Sequence, residues 1–242
     1  MYYYRLISSM LKATVNSLLT GLYAVYKAES NANDSLGTYN GTAVGGLTYT
    51  AGKSGNAFTF NGTTAYVSLP NDSFNNLTQD FSISFWVNYS SLVGEQSNFS
   101  NFAYNGTNYW GTAILASGNT FILYTFNGTP SVYSLNITGG QAMSSNVWYN
   151  YVITRKSNVG SKIYRNGTLL VSDTNTVNPV YNSGNMQPSI GSLRHGPLNS
   201  NLVQHYMTNG TKIDELNIWT KELTATEVTE LYNAGTGKFY PY

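Results

Sequence analysis

The stretch Lys212-Ile-Asp-Glu-Leu-Asn-Ile-Trp-Thr220, continued by Lys221-Glu-Leu-Thr-Ala-Thr-Glu-Val-Thr-Glu-Leu-Tyr-Asn233, decides the fold class. Its first half alternates with period two. Ile213, Glu215, Asn217 and Trp219 are therefore expected on one face of a strand, and Asp214, Leu216 and Ile218 on the other. The second half changes to the helical period. Thr224 with Glu227 forms a capping box, Val228, Leu231 and Tyr232 follow at helical spacing, and Asn233 and Gly235 supply the stop. A strand running into a short C-terminal helix closes a chain that is strand-like almost everywhere before it.

Upstream, residues 148–154 and 162–165 read as strands, and Asn166-Gly167 turns tightly into 168–171. Further strands are expected at 109–116, 121–126 and 131–137, the last two joined around Asn127-Gly128-Thr129-Pro130. Phe81, Ile83, Phe85 and Val87 alternate along another strand. Residues 57–60 and 65–69 flank Asn61-Gly62-Thr63-Thr64, a hairpin signal. Residues 22–29 read as the first strand, 177–185 as loop, and 189–193 as a late strand before a longer insertion at 195–209. Many short strands at near-regular spacing argue for an all-β, two-sheet antiparallel sandwich.

Residues 1–21 stand apart. Leu6, Ile7, Met10, Leu11, Val15 and Leu18 form an apolar stripe, ended by Gly21, that predicts a short N-terminal helix. Lys12 and Asn16 interrupt it, and no small-x-small site follows, so it fits a signal peptide poorly. Two roles remain open for these six residues: packing on their own domain, or assembly onto another subunit or further copies of the chain. The organisation expected is a helical anchor at 1–21 and one β domain at 22–242.

With 242 residues, 41% of them hydrophobic, the chain can bury one core, but only 10% are charged, against the usual quarter or so. Amides, hydroxyls and 21 tyrosines take their place. A net charge of +1 with no basic stripe gives no footing for a nucleic-acid partner. With no cysteine, disulfides, thiolate chemistry and Cys-based zinc sites are excluded, and no apolar run is long enough for a membrane span. Asn-x-Ser/Thr sequons begin at Asn33, Asn40, Asn61, Asn71, Asn76, Asn88, Asn98, Asn105, Asn127, Asn136, Asn166 and Asn209. They serve either as turn chemistry or as N-glycosylation sites.

Taken together, Gly55-Asn-Ala-Phe-Thr-Phe-Asn-Gly-Thr-Thr-Ala-Tyr-Val-Ser-Leu-Pro70, the strand from Phe81, residues 148–172 and the 212–233 stretch resemble the concanavalin A-like lectin/glucanase superfamily, and within it the laminin G-like jelly-roll domains. The resemblance covers roughly residues 22–234. It implies a jelly-roll sandwich and, since such domains are common in virion proteins, a capsid decoration, head-fibre or tail-associated protein. That protein would sit at the virion surface or outside the cell, held to a capsid or tail protein or to itself by residues 1–20 and facing host glycans. The alternative is a secreted or cell-surface carbohydrate-binding or adhesion module of cellular origin. Fold alone does not decide between them.

Glycoside hydrolysis needs two carboxylates about 5–9 Å apart across the scissile bond. The 11 acidic residues form no such pair on a strand, and Asp214 and Glu215, being adjacent, are expected on opposite faces. No nucleophile elbow exists, and His195 and His205 lie in the late insertion. The chain therefore reads as no enzyme. The resemblance implies a structural Ca²⁺ joining Glu29, at the end of the first strand, to Asp214, with Asn31 nearby; the other reading of Asp214 is a carboxylate that caps a turn or meets Lys27 or Lys212. Asp34 reads as an Asx residue. Sugar binding calls for exposed aromatic faces beside amides, and Tyr104, Asn105, Asn108, Tyr109 and Trp110 are the densest such cluster, with Tyr181–Asn182 and His205–Tyr206 in other loops. Trp86, Trp148 and Trp219 are assigned to the framework.

Overall fold

The computed structural model describes residues 16–137, 142–194 and 203–242. Its strands are β1 (Leu22–Tyr26), β2 (Thr42–Val44), β3 (Thr48–Ala51), β4 (Asn56–Thr59), β5 (Tyr66–Ser68) and β6 (Phe81–Asn88). There follow β7 (Glu95–Tyr104), β8 (Tyr109–Ser117), β9 (Thr120–Thr129), β10 (Val132–Ile137), β11 (Trp148–Lys156), β12 (Gly160–Arg165) and β13 (Thr168–Ser172). The chain ends with β14 (Ser189–Ile190), β15 (Leu193–Arg194), β16 (Val203–Gln204), β17 (Lys212–Trp219) and the helix α1 (Ala225–Tyr232).

They form the expected antiparallel sandwich. One sheet runs β13-β12-β11-β6-β17-β4-β3, with β1 also paired to β17; the other runs β10-β9-β8-β7-β14-β5-β2. Alternation aims Phe81, Ile83, Phe85 and Val87 from the first sheet, and Phe99, Ile114, Phe121 and Leu123 from the second, into one shared core. Phe121 and Tyr151 stack across the two sheets at 3.9 Å and 3°, so the layers are locked by ring contact as well as by area removed from water.

β17 is central in a way its sequence does not display. It pairs with β6 along one edge, while its other edge takes β4 at Lys212 and Ile213 and β1 from Leu216 to Trp219. Between these halves the register against β6 slips, Asp214 facing Trp86 and Asn217 facing Ser84, which is one extra residue on β17. Glu215 sits in this bulge at φ +48°, a region few non-glycine residues adopt. The bulge changes the phase of the strand. Ile213, Leu216 and Ile218 all reach the shared core, which corrects the expectation that Ile213 lies on the face of Glu215, Asn217 and Trp219.

The hairpin expected at Asn61–Thr64 is also corrected. β4 belongs to the first sheet and β5 to the second, so the segment carries the chain across the sandwich. Asn61 Oδ1 accepts the N–H groups of Thr63, Thr64 and Ala65 at 3.1, 3.0 and 2.9 Å, and Asn61 Nδ2 donates to the Gly45 carbonyl at 2.8 Å. One side chain thus fixes the crossing.

Against the outer side of the first sheet, α1 packs Val228 and Leu231 on Val152, Tyr164, Trp219 and Leu223. Its capping box is complete, Asn233 takes the left-handed conformation that ends it, and Tyr232 stacks on Trp86 at 6.0 Å. Leu18, in a 3₁₀ turn at Ser17–Leu19, is fully buried in the same cluster, and its carbonyl accepts the Trp219 indole N–H at 2.7 Å. It belongs to the domain's own packing and not to an assembly surface. Leu6, Ile7, Met10, Leu11 and Val15, with the rest of the expected N-terminal helix, lie outside the described residues, as does His195.

Candidate functional site

The strands β7, β8 and β9 turn apolar side chains to both sides. While Phe99, Ile114, Phe121 and Leu123 enter the core, the opposite parity sends Phe102, Tyr109, Ala113, Leu115, Tyr124 and Phe126 to the outer face of the second sheet. There they line a cleft of about 320 Å³, completed by Val132, Leu193, Glu95 and His205. Tyr104 stacks on Tyr109 at 4.5 Å, and Tyr109 on Phe102 at 6.1 Å; Phe102 lies 4.9 Å from Phe126. Phe102 and Phe126 form the buried floor, whereas Tyr104, Tyr109 and Tyr124 stay partly open to solvent.

Polar groups are few and grouped. Glu95 Oε2 and His205 Nδ1 meet at 3.2 Å. Burial, with the Glu95 charge beside it, holds the Tyr124 hydroxyl above its ordinary pKa, so at neutral pH it is an uncharged donor and acceptor. An apolar, ring-lined floor with a small polar cluster is the chemistry of a site that takes the C–H face of a sugar ring and holds hydroxyls at its edge.

Of the aromatic–amide cluster named from sequence, Tyr104 and Tyr109 are brought to this cleft. Asn105 is a turn former, its Oδ1 accepting the N–H groups of Thr107 and Asn108 at 3.0 and 2.9 Å, and Asn108 completes that turn. Trp110 has the parity of Thr112 and Ile114, stands on the other side of the sheet from Tyr109, and covers Gly128, where an added Cβ would lie 2.8 Å from the indole nitrogen. Phe102, Tyr124, Phe126, Glu95 and the cleft role of His205 were missed. The available signal was residues 121–126, apolar at both parities, which marks a strand with two packed faces.

Glu29 and Asp214 do converge, on the turn 52–56. Asp214 Oδ2 accepts the N–H groups of Lys53 and Ser54 at 2.8 and 2.9 Å, and its Oδ1 that of Glu215 at 2.8 Å. Glu29 Oε2 accepts the Asn56 N–H at 3.0 Å, and its carbonyl accepts Asn56 Nδ2 at 2.7 Å. A Cβ on Gly55, at φ +60°, would run into the Glu29 carboxylate. Asn31 is exposed and caps the Asn33 N–H. Ca²⁺ needs six to eight oxygens free to face it, and here the carboxylates already face backbone donors; among the described residues no three His, Asp or Glu side chains group as metal ligands. As arranged, Glu29, Asn31 and Asp214 do not fit a calcium ion. Asp34 is the expected Asx residue, fully engaged by the N–H groups of Val25, Leu36, Thr38 and Tyr39.

Residues 61–229 match the family model Laminin_G_3 of the concanavalin A-like lectin/glucanases superfamily. The chain belongs to this family. Comparison with curated protein sequences finds no match. Among solved structures, the laminin G-like chain is similar to the binding domain of botulinum neurotoxin DC in complex with SialylT (17% identity, TM-score 0.65, 88% of this chain and 51% of that one). It is similar also to the binding domain of Paraclostridial Mosquitocidal Protein 1 (19%, TM-score 0.67, 88% and 52%). A third is domain 4 of AbnA, an extracellular arabinanase from Geobacillus stearothermophilus, in complex with arabinotriose (24%, TM-score 0.62, 86% and 96%). The chain spans about half the length of the toxin binding domains and nearly all of the arabinanase domain. At these identities the likeness is one of fold.

Proposed function

We propose that this chain is a non-enzymatic, lectin-like binding module that takes glycans on the outer face of its second sheet. The observation that carries the reading is the ring-lined cleft around Tyr109 and Tyr124, with Glu95 and His205 at its edge. Glu95 is the one carboxylate in that lining, half of what glycoside hydrolysis requires. Asp214 and Glu215 are 0% and 1% exposed, beyond the reach of any substrate.

Within that reading the chain serves as a virion structural protein, with residues 1–15 as the tether to a capsid or tail protein or to further copies. The apolar stripe in that segment supports it. A secreted or cell-surface carbohydrate-binding module of cellular origin is the second reading, favoured by the likeness along almost the whole of an arabinanase domain solved with arabinotriose.

A glycan array followed by calorimetry tests the site. Tyr109→Ala and Tyr124→Ala are each expected to weaken binding about tenfold or more, and Trp110→Ala to leave it unchanged. Equal affinity of wild type and Tyr109→Ala for every glycan bound would reject the cleft.

A further inference from the structure

We propose that a second cleft, between the segment after β5 and the segment joining β13 to β14, binds an uncharged polyhydroxylated ligand, a neutral sugar. Its volume is about 440 Å³, within the ~300–1,000 Å³ usual for ligand sites, and it shares no lining residue with the cleft around Tyr109. One wall is the apolar run Pro179-Val180-Tyr181; the other carries Asn75, Thr78 and Gln79. No ionised side chain lines it, so nothing in the lining pairs a charged ligand.

The cleft is held open by groups outside it. The Asp72 carboxylate ties the two segments together, accepting Asn75 Nδ2 at 2.8 Å and the Gly184 N–H at 2.9 Å. The buried Arg155 guanidinium donates to the carbonyls of Asn175 and Val177 at 2.8 and 2.7 Å and to Asn178 Oδ1 at 3.1 Å, fixing the path of the chain into Pro179. The Tyr181 hydroxyl donates to the Leu77 carbonyl at 3.3 Å and lies 3.2 Å from Thr112 Oγ1. A ligand entering here orders little that is not already ordered.

Two amides of the lining have unequal ends. Asn75 Oδ1 is buried and has no partner, although the nitrogen of the same amide is bound to Asp72. Gln79 Oε1 accepts the Ser157 hydroxyl at 2.8 Å, which directs its own NH₂ away as a donor. The exposed Gln79 amide supplies a donor, and the Thr78 and Ser183 side chains of the lining supply hydroxyls, so the cleft offers uncharged groups suited to a ligand hydroxyl, which gives one hydrogen bond and receives another. A ring whose C–H face rests on Val180 and Tyr181 and whose hydroxyls project from its edge describes a pyranose or furanose without a charged substituent.

The test uses the full chain, isotope-labelled, titrated with maltotriose, lactose and arabinotriose to tens-of-millimolar concentration while amide chemical shifts are followed. At least one sugar is expected to move residues 75–79 and 178–184. That response should survive Tyr109→Ala and weaken about tenfold in Gln79→Ala, where the side chain removed is exposed. Val180→Lys, at a side chain 46% exposed, should weaken it as well. Shifts confined to the Tyr109 cleft overturn the second site alone, and no shift at 75–79 or 178–184 with any of the three sugars overturns it too.

Discussion

At Asp214 and Glu215 two carboxyl groups are buried side by side. Desolvation outweighs the three N–H groups on Asp214 and pushes its pKa up to about 7. Glu215, both of whose oxygens are buried without a partner, is pushed up to about 8, by desolvation first, then by Asp214, with Lys27 pulling the other way and Glu29 adding to the rise. Both folded-state values exceed those of an unfolded chain, so the native state holds extra protons from about pH 4 to about pH 8. Stability is therefore full at the acid end of this window and is lost as pH rises through about 7 to 8. The urea midpoint should be higher at about pH 5 than at about pH 8.5, and Glu215→Gln should flatten that difference, stabilising the alkaline form by on the order of 1–3 kcal/mol; a variant with the wild-type pH profile would refute the assignment. Because Asp214 and Glu29 face backbone donors, thermal midpoints with and without EDTA should coincide, and a drop in EDTA accompanied by bound Ca²⁺ in the untreated protein would restore the metal.

Elements whose logic is local were legible from residues alone. The capping box of α1 is a contact between Thr224 and Glu227, and the Asn127 and Asn166 turns join strands adjacent in sequence; nothing distant can override them. The Asn61 segment looks the same locally, yet β4 and β5 are claimed by different sheets through partners far along the chain, which no local pattern encodes. The bulge in β17 is likewise set by what packs on both of its edges, so period two holds before and after Glu215 but not through it. At the candidate site the same cause divides Tyr109 from Trp110: neighbours in sequence, they point to opposite faces. For the N-terminal segment the boundary matters. On the tether proposed for residues 1–15, their deletion should leave a folded monomer where the full chain self-associates, measured by light scattering. Extending the cut through Leu18 should cost a further ~2–4 kcal/mol, because a fully buried side chain and the acceptor of the Trp219 indole go with it.

Across the whole molecule, the sequons divide by what the fold asks of them. Asn98 is 0% exposed, with Oδ1 accepting the Tyr89 hydroxyl at 2.7 Å, so a glycan there cannot coexist with this packing; at Asn61 a glycan would displace one of the two Nδ2 bonds, to the Gly45 carbonyl or Thr64 Oγ1. Asn33, Asn40, Asn71, Asn76, Asn105 and Asn209 are exposed. Glycopeptide mapping of material from the native source should find Asn98 bare, and its occupancy in folded protein would contradict the architecture. The three partners of β17 carry one last consequence. Its neighbours all come from far earlier in the chain, β1 near its beginning and then β4 and β6. A ribosome delivers every other strand of the first sheet before it, so during synthesis β6 waits beside β11 with an open slot between itself and β4. The domain should stay protease-sensitive until β17 has left the ribosome, and then close in a single late step, since β17 is the strand that joins β6 to β1 and β4.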